Sequence, residues 1–267
     1  AGKIDLTIAP DFVVDGTANL RSGQSTLDFI GRGGKQTDAR VKFVLASLAD
    51  LLPDAQGSLR GDLAVRGDWP ALAIDGRVDG AKLGVGSVRA DALDVAVKVD
   101  DVSAPSGNLT STARKITLGA LAFDTIALDG GGDRNRHTFS AEARGEKLDV
   151  DLSLSGTVKD TAWNGTLDAL TFVAKNHPAW KLQKPAELAL RDGTAELGEL
   201  CLAADNSRLC LGGKRAADGA IEARYRNPKL GGVAPIRVIH EILAAGDGAH
   251  GVRAAAFNLP NDERVIQ

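Results

Sequence analysis

The stretches Leu93–Val99, which reads LDVAVKV, and Leu148–Leu154, which reads LDVDLSL, decide the fold. In both stretches a large apolar residue occupies every second position. A period of two places alternate side chains on opposite faces of a β-strand. The same pattern recurs between Gly57 and Leu211, interrupted by Gly, Asp or Asn. We therefore expect a series of strands that each turn one face to water and share an apolar surface on the other.

Turn residues separate the strands at roughly 8–12-residue spacing, which is typical of an all-β protein. The alternating segments share a hydrophobic pattern but show no repeat of fixed length. This favours an irregular antiparallel sheet over a parallel β-helix. Two segments show helical spacing instead: Val41–Leu52, which stops at Pro53, and Pro235–Ala245. We predict a short helix at each. From residue 231 the alternation fades, so we expect a strand-rich segment over 1–230 and an atypical helical or irregular tail over 231–267.

The composition narrows the classes of function. The 267 residues carry 32 basic and 35 acidic side chains, a net charge of −3, with no basic block to suggest nucleic-acid binding. Aromatic residues make up only 4% of the chain and Met is absent, so an apolar surface has to be mainly aliphatic. Because compact cores usually contain some aromatic bulk, this favours a groove or solenoid, although a plain β-sandwich remains compatible.

The start of the chain lies within the pattern, since Ile4, Leu6 and Ile8 already alternate. The sequence shows neither a leader peptide nor an apolar run of the length that a membrane-spanning helix needs. We expect a fragment whose anchor or export signal lies outside it.

The segment Glu199–Leu211, ELCLAADNSRLCL, predicts a disulfide-bonded hairpin. If Asp205 and Asn206 form a two-residue turn, Cys201 falls opposite Cys210 at a non-hydrogen-bonded position, with Cα atoms about 4.5 Å apart. That distance permits a disulfide, which implies an oxidising compartment. Leucines on both strands then form the buried face, and the sulfurs lie on the other. Two unpaired thiols remain the alternative, while a metal pair would need more ligands than the two cysteines supply.

Candidate catalytic groups are scattered. The four histidines, His137, His177, His240 and His250, show no metal-ligand spacing, and a surface position is the default for each. Asp149 and Asp151 could act as an acid–base pair, but carboxylates on the solvent-facing side of a strand need no catalytic role. We expect no enzyme activity, no cofactor and no metal site.

A further block of residues resembles a known family. It includes Trp163–Leu167 (WNGTL), Pro178–Leu182 (PAWKL) and Leu197–Gly213 with both cysteines, preceded by Gly57–Leu63 (GSLRGDL). These segments resemble the TamB proteins, the AsmA-like translocation and assembly module subunits, over roughly Leu45–Tyr225.

The resemblance implies a central fragment of a periplasmic protein anchored in the inner membrane by a helix that this chain lacks. It implies a long curled antiparallel sheet that forms an open trough, or β-taco, with an apolar concave face. Such proteins are associated with phospholipid movement between the inner and outer membranes. They are also associated with a TamA-like outer-membrane barrel partner, which would contact regions outside this chain.

An apolar surface of alternating strands could carry acyl chains, each buried CH₂ contributing about 0.8 kcal/mol. The alternatives are a scaffold or chaperone for outer-membrane proteins and secreted autotransporters, a closed β-sandwich, and an enzyme on a β-helix. The candidate groove-lining residues are Leu63, Val65, Leu72, Ile74, Val95, Val97, Leu118, Phe123, Leu128, Val150, Leu152 and Leu154.

Overall fold

The computed structural model describes residues 2–8, 14–50, 52–217, 221–226 and 263–266. These residues are almost entirely β-strand, and the strands pair antiparallel. The predicted all-β, antiparallel fold is confirmed. The chain divides into two compact units, of which unit 1 comprises residues 1–118 and 123–134 and unit 2 comprises residues 119–122 and 135–267.

Unit 1 is a meander in which each strand pairs with the next along the chain, from β1 to β8. Short turns such as Gly86–Ser87 join long strands, and the positive φ of Gly86, 55°, suits glycine. The strands are β1 (Gly2–Ile8), β2 (Val14–Ser22), β3 (Ser25–Gly33), β4 (Gln36–Leu45), β5 (Ala55–Asp68), β6 (Ala71–Val85), β7 (Val88–Asp101) and β8 (Ser106–Leu118). The next strand, β9 (Leu121–Asp133), belongs to unit 1 from Phe123 onward.

Unit 2 repeats the antiparallel order with one variation. Two short strands, β13 and β14, lie between β12 and β15 and pair with both. The strands are β10 (His137–Arg144), β11 (Leu148–Lys159), β12 (Ala162–Ala174), β13 (Trp180–Leu182), β14 (Ala186–Arg191), β15 (Thr194–Ala204), β16 (Ser207–Arg215), β17 (Ile221–Arg226) and β18 (Glu263–Ile266).

The end of the chain contributes one described element. Within the predicted tail, Glu263–Ile266 forms β18 and pairs with β17. The predicted helix Pro235–Ala245 lies outside the described residues, so the boundary expected near residue 230 stays a prediction.

The helix predicted over Val41–Leu52 is wrong. Strand β4 continues to Leu45, where it pairs with Leu59 of β5, and only Leu48–Asp50 form a single 3-10 turn. The spacing of Val41 and Leu45 fits a helix, but it fits a strand equally well. Pairing with β5 over the whole length of β4 decides between the two.

Unit 2 contains a packed core. Its buried members are Leu167, Trp180, Ala186, Leu200, Leu202, Ala204 and Leu209. The Trp180 ring stacks on Phe172 with their centroids 6.1 Å apart. The strand pairings bring these residues together, because Leu167 lies opposite Ala186 and Leu182 lies opposite Leu202.

Candidate functional site

One face of the unit 1 sheet is continuously apolar. Cross-strand partners share a face, and the register aligns aliphatic rows across the strands. One row runs from Val41 through Leu63 to Gly76 and Val97. We call this surface the apolar face of unit 1. Its larger members include Leu20, Leu27, Phe29, Val41, Phe43, Leu45, Leu59, Leu63, Val65, Leu72, Ile74, Val78, Leu93, Val95, Val97, Val99 and Leu109.

This apolar face is only half-covered. Leu20, Leu27 and Leu109 are 39–40% exposed, and the other large side chains of the face are intermediate in burial. In a packed core, aliphatic side chains of this size are usually buried. Each strand of unit 1 packs mainly against its neighbours within the sheet. The face is therefore an accessible surface in the described part of the chain.

Six of the predicted lining residues lie together on this face. Leu63, Val65, Leu72, Ile74, Val95 and Val97 come from three adjacent strands and are all half-buried. Three others lie nearby in the chain but differ in environment. Leu118, at the end of β8, and Leu128, in β9, are half-buried, whereas Phe123 is 6% exposed and is covered by its surroundings.

The remaining three predicted lining residues belong to unit 2. Val150 lies opposite Phe172 and Leu152 opposite Leu170, while Leu154 lies opposite Leu167. Leu152 and Leu154 pack against the buried core of unit 2. The apolar face of unit 2 is thus partly a closed core, unlike that of unit 1.

The opposite face of the unit 1 sheet is charged. Ion pairs connect neighbouring strands, among them Arg60–Asp79 at 3.1 Å and Arg114–Asp94 at 2.7 Å. Two hydrogen bonds of 2.6 Å from the Arg40 guanidinium hold the pKa of the Asp62 carboxyl below its ordinary value. An open groove of about 870 Å³ also lies on this face. The charges keep this side of the sheet hydrated.

The cysteine hairpin forms as predicted. Asp205 and Asn206 make the turn, Cys201 lies opposite Cys210, and the two sulfurs are bonded with Cα atoms 4.0 Å apart. The sulfurs themselves are nevertheless shielded from solvent, since Cys201 is 0% and Cys210 is 7% exposed. Arg208, on the same side of the hairpin, is exposed. The Glu199 carboxylate lies within 4.8 Å of both sulfurs, but bonded sulfurs are not thiolate ligands.

The polar groups considered for catalysis have structural partners. The Asp149 carboxylate accepts a hydrogen bond from the Gly145 amide, and Asp151 forms an ion pair with Arg144. His137 is half-buried and accepts a hydrogen bond from Trp163, a contact that the default surface position did not include. No local pattern in the sequence predicts this contact, because the two residues are 26 positions apart.

These features define a class of protein: an antiparallel β-sheet protein in which one compact unit presents an extended apolar face on one side of its sheet and ion-paired charges on the other. In the described part of the chain, no helix has the length and apolarity to cross a bilayer. The chain belongs to the TamB family, since residues 2–236 match the family model described as TamB, N-terminal domain. The match is thus to an N-terminal domain, and it gives no support to the narrower expectation of a central fragment. No solved structure matches the chain.

Proposed function

We propose that the apolar face of unit 1 binds phospholipid acyl chains, as one segment of a conduit between the inner and outer membranes. The proposal rests on one observation: rows of half-buried or exposed aliphatic side chains continue across the neighbouring strands β2–β8. Monomeric proteins rarely expose a large contiguous apolar patch, and one that persists usually marks a binding surface.

The geometry suits a mobile chain better than a fixed ligand. Each CH₂ that leaves water for this face contributes about 0.8 kcal/mol, wherever along the face it lies. The aliphatic side chains of Leu63, Ile74 and Val95 offer the chain no hydrogen bonds, so no position along the face holds it strongly. The charged side of the sheet keeps the same segment soluble.

The family and the disulfide support a periplasmic setting for this proposal. A Cys201–Cys210 bond persists in an oxidising compartment such as the periplasm. The proposal places this segment there, as part of a protein attached to the inner membrane. An outer-membrane partner would be contacted by other regions of the full-length protein.

Photocrosslinking tests the proposal. A crosslinking side chain at Val97 lies on the apolar face, and one at Lys98 lies on the charged face of the same strand. We expect phospholipid adducts from position 97 and none from position 98. Adducts to protein alone at position 97 would support the second candidate, a scaffold for outer-membrane proteins. Equal lipid adducts at both positions would contradict a role for the apolar face.

A further inference from the structure

Unit 2 contains a small apolar pocket beside its core. The pocket has a volume of about 250 Å³ and opens between Phe139 and Leu154 on one side and Trp163, Leu188 and Leu190 on the other. The register explains this arrangement. Phe139 lies opposite Leu154, and Trp163 lies opposite Leu190, so two apolar rows border the pocket.

Two glycines hold one wall of the pocket in place. Gly156 and Gly165 are direct cross-strand partners, and the Trp163 indole lies over both. A Cβ on Gly156 would lie 2.6 Å from Cζ2 of the indole, and a Cβ on Gly165 would lie 2.6 Å from Cη2. Neither approach is sterically possible, so only a pair of glycines allows the ring to lie this close to the sheet.

A hydrogen bond fixes the same ring from its edge. The Trp163 Nε1–H group donates to His137 Nε2 at 2.6 Å, and the two rings have centroids 6.2 Å apart. His137 lies opposite Gly156 in the sheet, which places its ring beside the indole. Trp163 is therefore a preformed wall and does not have to reorganise when a ligand enters.

The side chains that line the pocket leave no hydrogen-bonding group for a polar ligand. The indole N–H is bonded to His137, and the Ser155 hydroxyl lies 3.1 Å from the Thr166 hydroxyl as its partner. The other lining side chains are aliphatic or aromatic. A ligand that fits this surface has to be apolar.

We propose that this pocket holds the methyl-terminal part of a single acyl chain, and that Trp163 is the residue that determines its fit. The proposal rests on the proposed function and adds a defined binding position to it. An apolar cavity of about 150 Å³ binds benzene, so this larger pocket takes a longer apolar group but not a whole lipid. The Leu190 side chain, 45% exposed, forms the rim where the chain leaves the pocket.

Bromine quenching of tryptophan fluorescence tests the proposal on the whole chain. The probes are an undecanoate with bromine on its terminal carbon and an undecanoate with bromine beside the carboxylate. We expect the terminal bromine alone to quench Trp163. Affinity for unbrominated chains should rise by about fourfold per added methylene from hexanoate and level off once the pocket is full.

Three variants assign the signal. Trp163→Phe should remove the quenched component while the exposed Trp69 and the core Trp180 still fluoresce. Leu188→Phe should fill the pocket and weaken binding about tenfold or more. Leu109→Phe makes the same change on the apolar face of unit 1 and should leave Trp163 quenching unchanged. Circular dichroism checks that each variant folds.

Two outcomes would overturn the proposal: equal quenching by both brominated acids, or unchanged affinity in Leu188→Phe. If either occurs while lipid still crosslinks at position 97, the pocket assignment fails and the proposed function stands. If Trp163 is quenched as expected but no lipid crosslinks at position 97, the pocket stands and the conduit along unit 1 fails.

Discussion

Leu63 and Gly76 are direct cross-strand partners on the apolar face of unit 1, and the Leu63 side chain occupies the space beside the Gly76 Cα. A Cβ on Gly76 would meet Cδ2 of that leucine and would also lie 2.9 Å from the Asp62 carbonyl oxygen. The glycine thus lets the leucine lie flat across β6 and keeps the apolar face smooth.

Gly76→Ala should therefore destabilise the protein. The added methyl group overpacks the Leu63 contact and presses on the backbone, and such changes cost about 1–3 kcal/mol. Denaturant unfolding measures the loss. Gly33→Ala is the matched control, because a Cβ there meets nothing within 4 Å. Its effect should stay within about 0.5 kcal/mol. Equal effects of the two substitutions would contradict the steric explanation.

Removal of the disulfide should also lower stability. Cys201 and Cys210 are nine positions apart, and closing so short a loop contributes about 2–3 kcal/mol in the chain-entropy model. The double variant Cys201→Ala, Cys210→Ala should unfold at correspondingly lower denaturant concentration. A reducing agent should shift the wild-type transition and leave that of the variant unchanged. A shift of both would show that reduction acts elsewhere.

The cysteine hairpin was predictable because the residues that define its turn and its strand pairing are close together in the sequence. A two-residue turn at Asp205–Asn206 fixes every pair outward from it, including Cys201 with Cys210. The sequence did not show that both sulfurs would be shielded from solvent. The burial of a side chain depends on the whole fold, which a local pattern of residues does not contain.

The wrong helix prediction and the features that the sequence did not show depend on pairings between strands. The window Val41–Leu52 fits helix and strand spacing alike, and only its partner β5 resolves the ambiguity. The contact between His137 and Trp163 requires β10, β11 and β12 to be in register together. Periodicity predicted apolar faces in both units, but it could not show that the face of unit 2 packs into a core while that of unit 1 stays half-exposed.

Arg40→Gln should raise the pKa of Asp62. In the folded protein the hydrogen bonds from Arg40 lower that pKa, so Asp62 contributes stability above its unfolded-state pKa of roughly 4. The contribution is lost as the pH falls through the lower, folded-state pKa. An NMR titration of the Asp62 carboxyl carbon measures the change directly. Lys42 lies 3.6 Å from the same carboxylate and remains in the variant, so the return to the ordinary value should be incomplete. An unchanged midpoint would show that Arg40 is not the cause.

A charge on the apolar face of unit 1 should block lipid binding there. Val97→Asp places a carboxylate among aliphatic side chains, and a nearby acyl chain would remove part of its water. Placing a carboxylate in a lipid environment costs about 2.5 kcal/mol or more. With a crosslinking side chain at position 95 as the reporter, the yield of lipid adducts should therefore fall more than about tenfold. Val97→Ala removes little apolar area and should leave the yield nearly unchanged. Ala96→Asp introduces the same charge on the opposite face, where Arg77 is its cross-strand partner, and should also have little effect. Retention of lipid crosslinking in Val97→Asp would contradict the proposal that the apolar character of this face governs lipid binding, because the carboxylate lies two residues from the reporter on the same side of β7.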